Sequence, residues 1–126
     1  MNISNYKYVY FLGIGGIGMS ALARYFKGSG FTVAGYDKTD TKLTKQLVLE
    51  DIPIVFQDDV NLLPKFMGDK SYVLVIYTPA IPKDNLLLQF FLENGFLLKK
   101  RSEVLGLITQ DKKCHAVAGT YGRTTI

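Results

Sequence analysis

Lys7-Tyr8-Val9-Tyr10-Phe11-Leu12-Gly13-Ile14-Gly15-Gly16-Ile17-Gly18-Met19-Ser20 reads as a strand, a glycine turn and a helix start in direct succession. Lys7 to Leu12 is rich in β-formers. Met19 to Lys27 contains no Gly or Pro, and its apolar residues Met19, Leu22, Ala23 and Phe26 fall at helical spacing. Each glycine has its own expected reason. Gly13 permits the tight turn, Gly15 lets the backbone approach a pyrophosphate, and Gly18 lets the helix pack closely on the strand. A pyrophosphate would then rest on the unpaired N–H groups at the positive end of the helix. A βα turn that binds nothing is the plainer alternative; the strand before the turn and the helix after it favour the phosphate cradle.

The same rhythm continues outward. Phe31 to Tyr36 reads as a second strand, and Thr41 to Glu50 as a helix capped by Asp40 or Thr41. Ile52 to Phe56 is a short strand that Pro53 assigns to an edge. Tyr72 to Tyr77 is continuous and β-branched, as a fully buried parallel strand should be. A helix over Asp84 to Asn94 stops at Gly95, a strand follows over Phe96 to Lys99, a short helix over Ser102 to Thr109, and a last strand over Cys114 to Ala118. Alternating strands and helices predict an α/β fold: a Rossmann-like parallel sheet of about five strands with helices on both faces. Right-handed crossovers give strand order 3-2-1-4-5, with a ligand at the switch point above strands one and four.

Composition sets limits. The chain has 126 residues, 48% of them hydrophobic, enough for one domain with a real core. The single cysteine, Cys114, leaves no internal disulfide framework. Neither a leader peptide nor a membrane-length apolar stretch is visible, so a cytoplasmic location without membrane association is expected. The net charge of +4 includes the clusters Lys99-Lys100-Arg101 and Lys112-Lys113. These either attract a phosphorylated ligand or are solvated surface; no nucleic-acid motif accompanies them, and no nucleic-acid partner is expected.

Other positions carry candidate chemistry. Asp37 ends the second strand, where an acid can bond ribose hydroxyls, although Asp37-Lys38-Thr39-Asp40 is equally a turn sequence. Thr78-Pro79-Ala80-Ile81-Pro82 lies at the carboxyl end of the central strand, as a ligand loop or as a rigid turn. Asp58-Asp59 is expected to cap a helical turn. His115, the only histidine, stands beside Cys114 without further ligands, and a structural role and no metal site are expected. Val117-Ala118-Gly119-Thr120-Tyr121-Gly122-Arg123-Thr124-Thr125 follows a strand in the manner of a phosphate loop, with Arg123 where a P-loop has Lys and Thr124 at the metal-hydroxyl position. Arg and Lys are not interchangeable there.

Taken together, these stretches resemble the Mur ligases of peptidoglycan synthesis. The segments in question are Phe11 to Ala23, Gly35-Tyr36-Asp37, Thr78 to Pro82, Arg101-Ser102-Glu103-Val104-Leu105 and the tail from Val117. The Gly-Met-Ser ending of the opening motif resembles the alanine-adding branch. The resemblance implies a UDP-sugar-binding domain over residues 1–111, with 112–126 the first strand and incomplete P-loop of a missing ATPase domain. It implies a parent enzyme that is an ATP- and Mg²⁺-dependent amide ligase acting through an acyl phosphate, with UDP-N-acetylmuramate and L-alanine as substrates. Gly13, Ile14, Gly15, Gly16, Ile17, Gly18, Met19 and Ser20 would hold the UDP pyrophosphate. Asp37, Thr78, Pro79, Ala80, Ile81 and Arg101 are the further substrate-binding candidates. Gly119, Thr120, Gly122, Arg123, Thr124 and Thr125 would form the incomplete ATP loop. The family loop Gly-Thr-His-Gly-Lys-Thr-Thr has His and Lys where this chain has Tyr121 and Arg123. By this reading the chain binds substrate, holds no cofactor and contains no catalytic residue. The competing readings are a dinucleotide-binding module of the NAD type and a non-catalytic regulatory domain derived from a ligase.

Overall fold

The computed structural model describes residues 3–109. Five strands, β1 (Tyr8–Leu12), β2 (Thr32–Tyr36), β3 (Ile54–Val55), β4 (Val73–Tyr77) and β5 (Leu97–Lys100), form one sheet in the order β3-β2-β1-β4-β5. All four pairings are parallel. The helices are α1 (Ile17–Gly28), α2 (Lys42–Leu49), α3 (Leu86–Glu93) and α4, which covers 101–109. The expected strand order and architecture are therefore present. The expected strand over Cys114 to Ala118 and the phosphate-loop tail lie outside the described residues.

Alternation along the central strands divides the core into two layers. Val9 and Phe11 of β1, Val33 of β2, and Leu74 and Ile76 of β4 face one side, where Leu22, Ala23 and Phe26 of α1, Leu47 of α2, and Val104 and Ile108 of α4 cover them. Tyr10 and Leu12, Ala34 and Tyr36, and Val73 and Val75 face the other side, beneath Leu87, Leu88 and Phe91 of α3. A sheet buried on both faces needs apolar residues at every position, which is why β1 and β4 read as continuous apolar runs. The three central strands are in step: Leu12 lies opposite both Tyr36 and Tyr77.

Local chemistry sets the boundaries. Thr41 caps α2 through a reciprocal pair of bonds, Thr44 N–H to Thr41 Oγ1 at 3.2 Å and Thr41 N–H to Thr44 Oγ1 at 2.7 Å. Asp40 is not the cap; its carboxylate accepts from the Thr44 hydroxyl at 2.9 Å. β3 is shorter than expected. Pro53 has no N–H to donate, and beyond Val55 the chain leaves the sheet for three single 3-10 turns, Val60–Leu62, Lys65–Gly68 and Lys70–Tyr72. Helix α3 begins at Leu86 rather than Asp84 because Asn85 is its cap, accepting from Leu88 N–H at 2.9 Å. Among the described residues no helix is long and apolar enough to cross a membrane.

Candidate functional site

The glycine turn is fixed from below by β2. Gly13 and Ile14 both donate to the Tyr36 carbonyl, at 2.8 and 3.0 Å, so the chain leaving β1 is bound to the end of its neighbour. Gly13 has φ +92°, a backbone that demands glycine, in accord with the expected tight turn. Gly35, which the sequence reading placed in a family-like stretch without giving it a reason, is equally necessary. A β-carbon there would stand 2.7 Å from Ile14 Cδ1 and 2.9 Å from the Phe11 carbonyl oxygen.

Two glycines have different neighbours from those expected. At Gly15 a β-carbon would meet Asp37 Oδ2 at 2.7 Å and Thr44 Cγ2 at 3.1 Å, so the room beside this glycine is already taken by the protein. At Gly18 the nearest atoms are not those of a strand: Arg101 Nη1 lies 2.9 Å from where a β-carbon would be. Arg101, the first residue of α4, thus lays its guanidinium against the first turn of α1. Among the described residues the ion pairs are Arg24–Glu50 and Lys45–Asp40, and no carboxylate partners Arg101. Gly16 is the N-cap of α1 and has no side chain to cap with, which leaves the first N–H groups of the helix uncapped by a side chain. A cation beside an uncapped positive helix end is a combination that an anion relieves.

Above the turn lies a cleft of about 470 Å³ at the carboxyl ends of β1, β2 and β4. Of the expected residues it brings together Gly13, Gly16, Met19, Asp37, Thr78, Ala80 and Ile81. Thr78 Oγ1 and Ile81 Cδ1 both come within 3.5 Å of the β-carbon position on Gly13, which closes the loop after β4 onto the turn. The other expected residues do not line the cleft, Gly15, Gly18 and Arg101 included. Ile14 is fully buried in the core. Ile17 is 85% exposed, on the outer side of α1. Ser20 is buried and donates its hydroxyl back to the Ile17 carbonyl at 2.9 Å, a bond inside the helix. Pro79 is exposed beside the cleft without lining it. The ATP-loop candidates Gly119, Thr120, Gly122, Arg123, Thr124 and Thr125 lie outside the described residues.

The cleft also contains residues that were not among the substrate-binding candidates: Tyr36, Lys38, Asp58, which was expected only as a cap, Pro82 at the end of the candidate loop, Asp84 and Asn85. Position at a strand end was the available signal for Tyr36, since it precedes Asp37. Burial pushes the Tyr36 phenol above its ordinary range, the negative charges of Asp58 and Asp37 add to this, and a hydrogen bond from Asn85 works against it. Three carboxylates against one lysine make this end of the cleft acidic, whereas Arg101 lies beside the first turn of α1 without lining the cleft. Among the described residues no cluster of three His, Cys, Asp or Glu side chains is placed to hold a metal ion.

A five-strand parallel sheet covered by helices, with a glycine turn and a cleft at its switch point, defines the Rossmann-like α/β class of domain. Comparison with known proteins narrows the class. The profile described as Mur ligase family, catalytic domain, matches residues 8–113, and the chain belongs to this family. It is 54% identical over 125 residues to a UDP-N-acetylmuramate–L-alanine ligase of Flavobacterium psychrophilum, covering 99% of this chain and 28% of that protein. It is 47% identical over 125 residues to the enzyme of the same name from Christiangramia forsetii, covering 98% of this chain and 28% of that one. Among solved structures it is similar to a UDP-N-acetylmuramate-alanine ligase from Thermotoga maritima, with TM-score 0.73 and 28% identity over 83% of this chain and 23% of that one. The chain spans just over a quarter of the length of the curated relatives it matches.

Proposed function

We propose that this chain binds UDP-N-acetylmuramate as the substrate-binding part of a ligase that joins L-alanine to it in peptidoglycan synthesis. The observation that carries the reading is the α1 N-terminus, uncapped by a side chain at Gly16 and opening on the switch-point cleft, with the Arg101 guanidinium against the first turn of the same helix and without an ion-pair partner among the described residues. A diphosphate supplies the missing negative charge, its oxygens accepting from backbone N–H groups and one guanidinium. Thr78, Ala80 and Ile81 line the cleft from the β4 side, and Asp37 and Tyr36 from the β2 side. The names of relatives matched along nearly the whole chain support the substrate. ATP and Mg²⁺ belong to the whole ligase in this reading; residues 119–125, the candidates for an ATP loop, lie outside the described residues and no step is derived through them.

Calorimetric titration of UDP-N-acetylmuramate and of NADH tests the proposal. UDP-N-acetylmuramate is expected to bind the more tightly. The opposite order would support the dinucleotide reading, which an acid at the end of β2 otherwise favours.

A further inference from the structure

We propose that Asp37 is a positioning residue, whose carboxylate holds the Gly15 N–H and occupies the space of the absent Gly15 side chain, so that phosphate is received by the start of α1. This rests on the function proposed above. Asp37 Oδ2 accepts from Gly15 N–H at 2.8 Å, and Oδ1 accepts from Thr39 N–H at 3.0 Å. The Asp37 N–H donates to the Val55 carbonyl at 3.1 Å, which ties the residue to the sheet. Each carboxylate oxygen is therefore engaged by backbone, and the side chain cannot swing toward a ligand without losing a charge-assisted bond.

This geometry changes what Gly15 is for. A β-carbon there would lie 2.7 Å from Asp37 Oδ2, closer than real side chains approach, so the glycine makes room for Asp37 rather than for a ligand. The Gly15 N–H is also spent. A phosphate oxygen and a carboxylate oxygen repel each other, so with the carboxylate on this N–H the anion is displaced along the chain to Ile17, Gly18 and Met19 and to Arg101. Asp37 acts on phosphate through the loop it holds and not by touching it.

The test uses three probes of decreasing complexity, UDP, 2′-deoxy-UDP and inorganic pyrophosphate, titrated into the 126-residue chain and its Asp37→Ala variant. Loss of a charge-assisted bond that fixes the loop is expected to weaken all three by a common factor of about ten. Pyrophosphate has no ribose. If it binds Asp37→Ala as well as, or better than, the unaltered chain while UDP is weakened, Asp37 contacts the sugar and the proposal fails. Thermal melting of Gly15→Ala, Asp37→Ala and the double variant reads the pair without any ligand. The expected result is that Gly15→Ala lowers the melting temperature less in the Asp37→Ala background than alone. Equal losses in both backgrounds would overturn the pairing. An unaltered chain that binds none of the probes would count against the function proposed above, and the melting cycle would then decide on Asp37 separately.

Discussion

Asp58 caps a helix that begins far along the chain: its carboxylate accepts from Leu86 N–H at 2.8 Å across a separation of 28 residues, and from Leu87 N–H at 3.0 Å. The carboxylate sits at the positive end of α3, where both the hydrogen bonds and the helix dipole favour it. Asp58→Ala is expected to reduce stability by about 1–2 kcal/mol, measured by urea denaturation, with Asp58→Asn losing less. Equal stability of the alanine variant would show that Asn85 alone suffices as a cap.

Tyr10 presents the opposite case, a buried hydroxyl with nothing to bond. The residue is 1% exposed, and its oxygen has no partner among the described residues. Burial raises the phenol above its ordinary range, and the neighbouring Tyr36 adds to this. Tyr10→Phe removes an unsatisfied group at almost no change of shape and is expected to raise stability by about 1 kcal/mol in thermal or chemical denaturation. A loss of similar size would reveal a bound water as the hydroxyl's partner.

Gly35→Ala tests the seat of the glycine turn. The new methyl would stand 2.7 Å from Ile14 Cδ1 and 2.9 Å from the Phe11 carbonyl oxygen, and the backbone oxygen cannot turn aside as a side chain can. The variant is expected to lose about 1–3 kcal/mol of stability, as overpacked cores do, and to bind UDP more weakly because the turn is lifted. Unimpaired titration by UDP in a folded variant would separate the turn from the site.

Arg101→Gln keeps much of the length of the side chain and removes its charge. Because Arg101 is only partly buried and has no ion-pair partner among the described residues, the fold should tolerate the change. UDP affinity is expected to fall by about tenfold, the loss for one charged hydrogen bond, while uridine affinity stays constant. Equal weakening of uridine would place Arg101 away from the phosphates.

The Arg24–Glu50 pair, with contacts of 2.7 and 2.9 Å, links α1 to the end of α2. The bond from Arg24 holds the Glu50 carboxyl below its ordinary value of 4.5. A depressed acid stabilises the fold above its unfolded value, and that contribution disappears as pH falls through the folded one. Glu50→Gln is thus expected to melt slightly below the unaltered chain near neutral pH and to converge with it as pH falls below 4.5. The pair is exposed, so added salt should shrink the neutral-pH difference.

The sheet was legible in the sequence because β1 and β4 are unbroken runs of β-formers, and because a parallel strand buried on both faces leaves no other pattern. The edge position of β3 was legible from Pro53, but not its shortness, which depends on where the chain turns toward Asp58. Residues 60–72 form three single turns, and turns this short carry no periodicity. The position of the cleft followed from strand order alone. Its internal pairings did not: Gly15 with Asp37, Gly18 with Arg101 and Asp58 with Leu86 each join residues remote in the chain. A glycine spaced for a phosphate looks the same in sequence as a glycine spaced for a carboxylate of its own protein.

The in-step register of the three central strands makes the length of β1 a gauge for the site. Leu12, Tyr36 and Tyr77 finish at one level, a ledge on which the glycine turn and the loop after β4 both stand. One residue inserted into β1 would exchange the two layers of side chains, sending the Tyr10 phenol among the aliphatic residues under α1. Two would restore the layers but raise the turn about 6–7 Å off the ledge, beyond contact with Thr78 and Ile81. Among changes of length in β1, the unaltered five-residue strand alone satisfies both the core and the cleft.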